Sequence, residues 1–254
     1  MTTRQVKQRE YWTPDYWRDY WERENPYRTY KLQRDRHLAV QLLRPLDGNR
    51  ILEVGCGYGR ISQALLSSAS IRLVGVDFSE PMLKECKKMV NGWFVACLSD
   101  AAHLPFRNGS FDAVLCNGVL MHVEDQKLAM IELCRVLRPG GRLVLSSNNL
   151  LSPFAVPVIL WIRLKSRVRQ VFKPPWFYYG HLAKLGIKVR CMVGDTLLAM
   201  GVTIPGVGVS MIPHILFPAL RVLDRWVDRP PLNYLAYENW FLGVKDNQET
   251  EAKP

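Results

Sequence analysis

The chain of 254 residues lacks the patterns that would indicate a metal site or a secreted protein. Its six cysteines contain no C-x-x-C pair, and no combination of Cys and His has the spacing of zinc ligands. The first ten residues are polar, whereas a secretory signal would carry an apolar stretch. We therefore expect reduced cysteines buried in the core, no metal and a cytoplasmic protein.

Acidic residues are absent from one long interval, between Glu132 and Asp195. Eleven basic residues fall within it, as many as the whole net charge of +11. A surface of one sign attracts nucleic acid, anionic lipid or an acidic substrate, or is simply a solvated face without a partner. Composition alone leaves these alternatives open.

Charge of either sign is absent over 25 residues, from 196 to 220. That length is sufficient to consider a membrane span. Three glycines and three prolines within it disfavour an unbroken helix, and residues 238–244 (ENWFLGV) again have the pattern of a strand. We predict an apolar cap that is inserted before the last strand of a sheet.

The most informative stretch that is present is 50–60, RILEVGCGYGR. An apolar run ends in three glycines spaced two apart, and a helical pattern follows. Glycines permit the positive φ of a tight turn and allow a ligand to lie against the backbone. A dinucleotide fingerprint would read G-x-G-x-x-G, but Arg60 occupies the position of its third glycine, which disfavours a dehydrogenase.

Four further strand patterns follow at regular intervals, at 72–77, 93–100, 110–117 and 138–145. Helical patterns separate them, so we expect a parallel sheet whose ligands bind at the carboxyl ends of its strands. Asp77 and Asp100 end the second and third strands. A carboxylate at the tip of the second strand can accept hydrogen bonds from both hydroxyls of a ribose.

These motifs together resemble the class I S-adenosylmethionine-dependent methyltransferases, and most of all the small-molecule enzymes of the ubiquinone and menaquinone type. The resemblance covers residues 48–148 and is carried by ILEVGCGYGR, VGVDFSEPML, SDAAHLPF, FDAVLCNGVLMHVED and LRPGGRLVLS. It implies an α/β fold, a Rossmann-like seven-stranded and mostly parallel sheet with helices on both faces. It also implies S-adenosylmethionine as the cofactor.

The resemblance further implies a set of site residues. The expected cofactor-binding residues are Glu53, Gly55, Cys56, Gly57, Gly59, Asp77, Phe78, Met82, Asp100, Ala101, Asn117 and Gly118. Within this set, Asp77 holds the ribose, Phe78 and Met82 flank the adenine, and Asp100 accepts from its amino group. His122 is the candidate general base, although a lone histidine after a strand is more often a packed structural residue.

The regions outside the core are expected to cover the site. Residues 1–47 form an N-terminal helical lid, 149–245 complete the sheet and carry a basic and apolar cap, and 246–254 are a flexible tail. The aromatic stretch 10–30 suits a sulfonium cation or an apolar acceptor, or simply packs on the sheet. The candidate lid and acceptor residues are Tyr16, Tyr20, Tyr178 and Tyr179.

The predicted function is methyl transfer to a small, lipophilic acceptor, with possible contact to the anionic inner face of a membrane. One alternative is an RNA methyltransferase that uses the basic region 135–190, and another is a non-catalytic protein that binds the cofactor. Amino-group DNA methylases carry an Asn/Asp-Pro-Pro-aromatic element after the fourth strand, where this chain reads CNGV. We therefore consider nucleic acid an improbable partner.

Overall fold

The computed structural model describes residues 12–22, 26–165, 170–197 and 216–247. A seven-stranded sheet organises them, in the spatial order β3-β2-β1-β4-β5-β7-β6. Strands β1 to β5 pair in parallel, and β7 runs antiparallel to both of its neighbours. The predicted α/β class, with a mostly parallel sheet, is confirmed. The strands are β1 Arg50–Val54, β2 Arg72–Asp77, β3 Phe94–Leu98, β4 Phe111–Cys116, β5 Leu137–Asn148, β6 Ile187–Asp195 and β7 Glu238–Lys245.

The α-helices of the described ranges lie before, between and after the strands. They are α1 Pro14–Glu22, α2 Pro26–Leu43, α3 Ser62–Ser68, α4 Glu80–Met89, α5 Gln126–Val136, α6 Ala155–Lys165, α7 Pro175–Lys184 and α8 Phe217–Asp224. Short 3₁₀ turns occupy Leu120–His122, Arg225–Asp228 and Leu232–Leu235. None of these helices is both long enough and apolar enough to cross a bilayer.

Alternating side chains of the central strands build one apolar layer on each face of the sheet. Leu52 and Val54 of β1 join the layer beneath α5 and α7, whereas Ile51 joins the layer beneath α2 and α3. This is the period of two that a strand imposes on its side chains. The start of α5 is stabilised by the Asp125 carboxylate, which accepts hydrogen bonds from the Lys127 and Leu128 amides.

A third apolar cluster joins the predicted lid to the predicted cap. Tyr27 of α2 packs there with Ala155, Val158 and Ile162 of α6 and with Tyr237, which directly precedes β7. Because α6 follows β5 and Tyr237 precedes the antiparallel β7, this cluster lies at the carboxyl edge of the central strands. Most of the uncharged segment 196–220, namely 198–215, lies outside the described residues.

The basic residues that are close in sequence are not close in the fold. Arg142 lies near the amino end of β5 and Lys188 near that of β6, whereas α6 with Arg163 follows the carboxyl end of β5. Arg135 and Arg138 are paired with Glu132 and Asp112. The interval without acids therefore spans both edges of the sheet.

Candidate functional site

The glycine-rich turn after β1 is fixed by its neighbour β2. The amides of Gly55 and Cys56 both donate to the Val76 carbonyl, at 2.7 and 3.0 Å. The amide of Gly57 donates to Asp77 Oδ2 at 2.9 Å. All three glycines of the turn have positive φ, a backbone conformation that side chains other than glycine rarely adopt. The turn thus holds the carboxyl tips of β1 and β2 together.

Two of these glycines are required for different reasons. A Cβ on Gly55 would lie 2.0 Å from Val119 Cγ2, so that position is closed by packing against the segment after β4. A Cβ on Gly57 would meet no atom within 4 Å, and the same is true of Gly118. Open space beside a bare backbone is what a ligand needs in order to lie against the turn.

Asp77 ends β2 with its carboxylate hydrogen-bonded to backbone. Oδ1 accepts from the Ser79 amide at 2.9 Å, in addition to the bond that Oδ2 accepts from Gly57. Burial raises the pKa of Asp77 to about 6, although the backbone amides oppose this rise. Amides orient a carboxylate without neutralising it, so the oxygens retain lone pairs for hydroxyl donors of a ligand.

Glu53 lies beneath the turn. It is buried on β1 and accepts a hydrogen bond from Ser62 Oγ at 2.5 Å. Burial raises the pKa of Glu53 to about 7, with smaller opposing contributions from Ser62 and Arg60. Since Ser62 is the first residue of α3, Glu53 connects the strand before the turn to the helix after it.

The tip of β3 adds the next two predicted residues. Asp100 accepts a hydrogen bond from the Ala102 amide at 2.9 Å, and Ala101 is buried. The Ser99 amide donates to the Asp77 carbonyl at 3.1 Å, so the tips of β2 and β3 are connected. Met82 is also buried, on α4, which follows β2.

Ser146 organises the polar group at the ends of β4 and β5. Its hydroxyl donates to Asn117 Oδ1 at 2.6 Å and accepts from the Gly118 amide at 3.0 Å. This leaves Asn117 Nδ2 buried without a hydrogen-bond partner among the described residues. An unpaired buried amide is costly, and a ligand that accepts its hydrogen bond would remove that cost.

Aromatic rings cover this edge of the sheet. Trp12 stacks on Trp17 with ring centroids 4.6 Å apart, and its edge-on neighbours are His122 at 4.8 Å and Phe78 at 6.2 Å. Ser79 Oγ donates to the Trp12 carbonyl at 2.8 Å, which anchors this segment directly beside Asp77. The N-terminal aromatic stretch therefore lies over the tips of β2 and β4.

His122 lies in the 3₁₀ turn after β4, beneath Trp12. The residue is partly exposed, but its Nδ1 is buried and has no hydrogen-bond partner among the described residues. Burial lowers the pKa of His122 to about 4. The imidazole is therefore neutral near pH 7, and Nδ1 can accept a hydrogen bond or a proton when it is not the protonated nitrogen.

The predicted acceptor tyrosines lie in different surroundings. Tyr16 is exposed on α1 and packs edge-on against Trp17. We call Trp12, Tyr16 and Trp17 together the aromatic cover. Tyr178 is buried in the core, with its hydroxyl donating to Ser147 Oγ at 2.6 Å. Tyr179 packs on Phe241 at 5.6 Å. Tyr20 lies in α1, but its side chain is outside the described residues.

A second set of acids occupies the other half of the same edge. Asp195 ends β6 and Glu238 begins β7, and both are buried against α2. Lys31 Nζ contacts Asp195 at 2.9 Å, Glu238 at 2.7 Å, and Asp35. The carboxylate oxygens of these three acids lie within 4.8 Å of one another, and the lysine ammonium contacts all of them.

Arginines extend this cluster in two directions. Arg34 binds Asp195 at 2.9 Å and also contacts Asp228. Arg60, directly after the glycine turn, donates to Asp35 Oδ2 at 2.8 Å. We name the set Lys31, Arg34, Asp35, Arg60, Asp195, Asp228 and Glu238 the ion cluster. It connects α2 to the glycine turn and to the last two strands.

Sequence reasoning did not identify Trp12, Ser146 or the ion cluster. The richness in Tyr and Trp pointed to the segment that contains Trp12, but not to that residue. Ser146 carried a signal that could have been used, because it is the first of three polar residues that follow the apolar run 143–145 within β5.

By sequence, the chain is similar to methyltransferases. A family model described as a methyltransferase domain matches residues 52–145. An O-methyltransferase of Pyrenophora dematioidea is 28% identical over 238 residues, covering 80% of this chain and 87% of that protein. A demethylmenaquinone methyltransferase of Renibacterium salmoninarum is 38% identical over 125 residues, covering 48% of this chain but only 52% of that protein.

Among solved structures, the fold is similar to that of magnesium protoporphyrin IX methyltransferase from Synechocystis, solved with bound SAH. The TM-score is 0.66 with 18% sequence identity, over 95% of this chain and 99% of that one. The likeness in fold therefore extends beyond the central motifs of residues 48–148.

Proposed function

This chain belongs to the class I S-adenosylmethionine-dependent methyltransferases, and from that premise we propose that it methylates an oxygen, nitrogen or carbon of a small, lipophilic acceptor. The observation that carries the proposal is the position of the aromatic cover. Trp12 lies against both Phe78 and His122. Phe78 follows Asp77, to which we assign the ribose, and His122 follows Asn117 at the tip of β4. The aromatic cover thus lies over both the residues that we assign to the cofactor and His122, the candidate base.

The residues present fit S-adenosylmethionine. The open space at Gly57 and Gly118 accommodates a ligand against the backbone, and the Asp77 carboxylate has oxygens available for ribose hydroxyls. We assign Asp100 and Ala101 to the adenine, between Phe78 and Met82. We assign Asn117 and Gly118 to the methionine end, where the unpartnered Asn117 Nδ2 needs an acceptor. Glu53, Gly55, Cys56 and Gly59 shape the turn.

The bound cofactor supplies a methyl group on a positively charged sulfur that a nucleophile of the acceptor can attack in line. The protein has then to align the acceptor and exclude water, effects that can contribute about 7–11 kcal/mol to lowering a barrier. Trp12 and Trp17 serve both purposes, because their stacked rings close the edge with apolar surface.

We assign proton acceptance to His122 where the acceptor is a hydroxyl or amine. Its Nδ1 is buried and unpartnered within the described structure. Because burial lowers the pKa of His122 to about 4, the neutral imidazole is a weak base, and it accepts a proton only as methyl transfer makes the O–H or N–H of the acceptor strongly acidic. His122→Asn is expected to lower kcat about 100-fold while the Kd of S-adenosylhomocysteine stays within about threefold. An unchanged kcat would remove His122 from the chemistry without affecting the assignment of the cofactor.

An acceptor made of nucleic acid is less well supported. The basic residues of 135–190 that the structure describes lie at both edges of the sheet, and Arg135 and Arg138 already bind Glu132 and Asp112. Phosphate recognition gains its affinity from several basic residues along one path. The exposed apolar residues Val156, Leu160 and Leu164 of α6 instead favour a lipophilic acceptor, and contact with the inner face of a membrane.

The proposal is tested in two steps with the full chain. Calorimetry with S-adenosylhomocysteine is expected to give binding by the wild type and by Asp47→Asn, an exposed acid at the amino edge that also accepts from a backbone amide. A screen with methyl-labelled cofactor then offers hydroxylated quinones and aromatic polyketides in parallel with RNA. Labelling of RNA alone would refute the acceptor class, and binding without labelling of any acceptor would favour a non-catalytic protein.

A further inference from the structure

Helix α6 has one side in the protein and one side in solvent. Ala155, Val158 and Ile162 are buried in the third apolar cluster. On the opposite side, Val156, Leu160 and Leu164 are exposed, and Leu164 is 80% exposed. The spacing of four residues places these three on a single stripe along the helix. Arg163 is exposed beside the stripe.

The segment 216–235 has the same character. It borders the same cluster through Leu220, and the Arg221 guanidinium lies 5.9 Å from the ring of Tyr30. Its outward side carries Val222 and Trp226, and Trp226 is 69% exposed. More exposed apolar residues follow in its last part: Leu232, Tyr234 and Leu235.

The charges beside these apolar residues are of one sign. Arg163, Arg221, Arg225 and Arg229 are exposed. The described parts 150–165 and 216–235 contain two acids, Asp224 and Asp228. Asp224 is buried and accepts from the Leu197 amide, and Asp228 binds Arg34 in the ion cluster. Arg229 also lies near enough to Asp228 to act on its pKa, but four exposed arginines face one buried acid and one acid that Arg34 already binds, so the exposed charge of these parts is positive.

We propose that this outer face of α6 and 216–235, here called the cap face, binds the surface of an anionic lipid bilayer. Interfacial helices combine an apolar stripe, arginines and a tryptophan in this way, because the side chains enter the acyl boundary while the guanidinium groups meet lipid phosphates. A second copy of the chain fits less well, since a symmetric interface would set the arginines against one another.

The cap face also lies on the side of the sheet where a lipophilic acceptor would be used. Helix α6 follows the carboxyl end of β5, and Asn149 forms an isolated bridge with Lys173 after the helix. Tyr237, at the start of β7, packs in the cluster that supports α6. The inference rests on the proposed function for its acceptor: a membrane-dissolved substrate would reach the site from the surface to which the cap face binds.

The test is flotation with vesicles of equal parts phosphatidylglycerol and phosphatidylcholine, compared with pure phosphatidylcholine. The wild type is expected to float with the anionic vesicles at low salt and to be released at high salt. Arg225→Gln with Arg229→Gln is expected to weaken binding about fivefold per arginine. Leu160→Ser with Leu164→Ser is expected to abolish flotation.

Matched controls use the opposite edge of the sheet. Trp93→Ser removes an exposed aromatic before β3, and Lys188→Gln removes an exposed base near the start of β6, and both variants are expected to float like the wild type. Calorimetry with S-adenosylhomocysteine on every variant separates this inference from the proposed function. A wild type that binds this ligand but stays in the soluble fraction, or floats equally with neutral vesicles, overturns the cap face as a lipid surface.

Discussion

The buried acids in the two halves of the carboxyl edge have different kinds of bonding partner. At β1 and β2, Glu53 and Asp77 bind a serine hydroxyl and backbone amides, and neither forms an ion pair within the described residues. At β6 and β7, Asp195 and Glu238 share Lys31, and Arg34 adds a second cation for Asp195.

The difference separates acids that remain available to a ligand from acids that already have their partners. Burial raises the pKa of Asp77 to about 6 and that of Glu53 to about 7, because neutral partners compensate only part of the lost hydration. In the ion cluster, the acids raise the pKa of Lys31 well above its ordinary value despite burial. Under the proposed function the first half is the one that remains available to a ligand, whereas the acids of the second half are held by Lys31 and Arg34.

Removing the central cation should produce the largest effect. Lys31→Met leaves Asp35, Asp195 and Glu238 buried without the ammonium that contacts all three. The free energy of unfolding is expected to fall by about 3–5 kcal/mol, as it does when one partner of a buried ion pair is lost. Urea denaturation followed by circular dichroism measures this change.

The control for Lys31 is Lys84→Met, which breaks an exposed pair with Glu80. Surface pairs between residues four apart contribute only about 0.3–0.5 kcal/mol, so this variant should unfold nearly like the wild type. If the two lysine variants lost equal stability, the ion cluster would not be the stabilising half of the edge.

The pH dependence of stability should distinguish Glu53 from an ordinary surface acid. Because its pKa is raised to about 7 in the folded protein, Glu53 retains a proton that the unfolded chain has already released. The free energy of unfolding of the wild type should therefore fall as the pH rises from about 4.5 to about 7. Glu53→Gln removes this contribution.

The stability of Glu53→Gln relative to the wild type is expected to improve by up to about 3 kcal/mol between pH 4 and pH 8. Urea midpoints at each pH provide the comparison. Asp47→Gln, which replaces an exposed acid before β1, should show no such trend. A constant difference between Glu53→Gln and the wild type over this range would contradict the view that Glu53 is buried without an adequate counter-charge.

Affinity for the cofactor product should separate Asp77 from Asp195. Asp77→Asn replaces a charged acceptor by a neutral one, and hydrogen bonds to charged groups contribute about 1.5–3 kcal/mol. The Kd of S-adenosylhomocysteine, measured by calorimetry, is expected to rise about 100-fold. Asp195→Asn should lower the thermal midpoint but leave this Kd within about threefold, because Asp195 belongs to the ion cluster. If Asp195→Asn raised this Kd and Asp77→Asn did not, the ligand would bind at the ends of β6 and β7 and not at β1 and β2.

The positions of the site residues at the ends of β1 and β2 could be predicted from sequence, because they lie close together along the chain. The glycines of the turn, and Asp77 at the tip of β2, lie within 23 residues of one another along the chain, and each follows an apolar strand pattern. The ion cluster could not be predicted, since Lys31, Asp195 and Glu238 come from three distant parts of the chain and meet only after the sheet has formed.

The charge pattern shows how sequence proximity can mislead. The eleven basic residues of 135–190 suggested one patch, but β5 and β6 carry the chain between the two edges of the sheet. The exposed arginines that lie beside apolar residues are instead Arg163 and a group from 221 to 229 that the interval did not include. The aromatic N-terminus was predicted as a lid, and only the structure identified Trp12 as the ring that contacts Phe78 and His122.

The smallest expected effect concerns Trp12 of the aromatic cover, which lies over the first half of the edge. Trp12→Ala removes edge-on contacts with His122 and Phe78, and such aromatic pairs contribute about 0.5–1.5 kcal/mol each. We expect the Kd of S-adenosylhomocysteine to rise up to about tenfold, chiefly through faster dissociation in stopped-flow measurements. Trp176→Ala is the matched control, because Trp176 is 60% exposed on α7.

Trp12 is anchored by Ser79, whose amide also binds Asp77. The losses of binding free energy for S-adenosylhomocysteine in Trp12→Ala and Asp77→Asn should therefore be non-additive. Strict additivity in the double variant would mean that Trp12 and Asp77 act on the ligand independently.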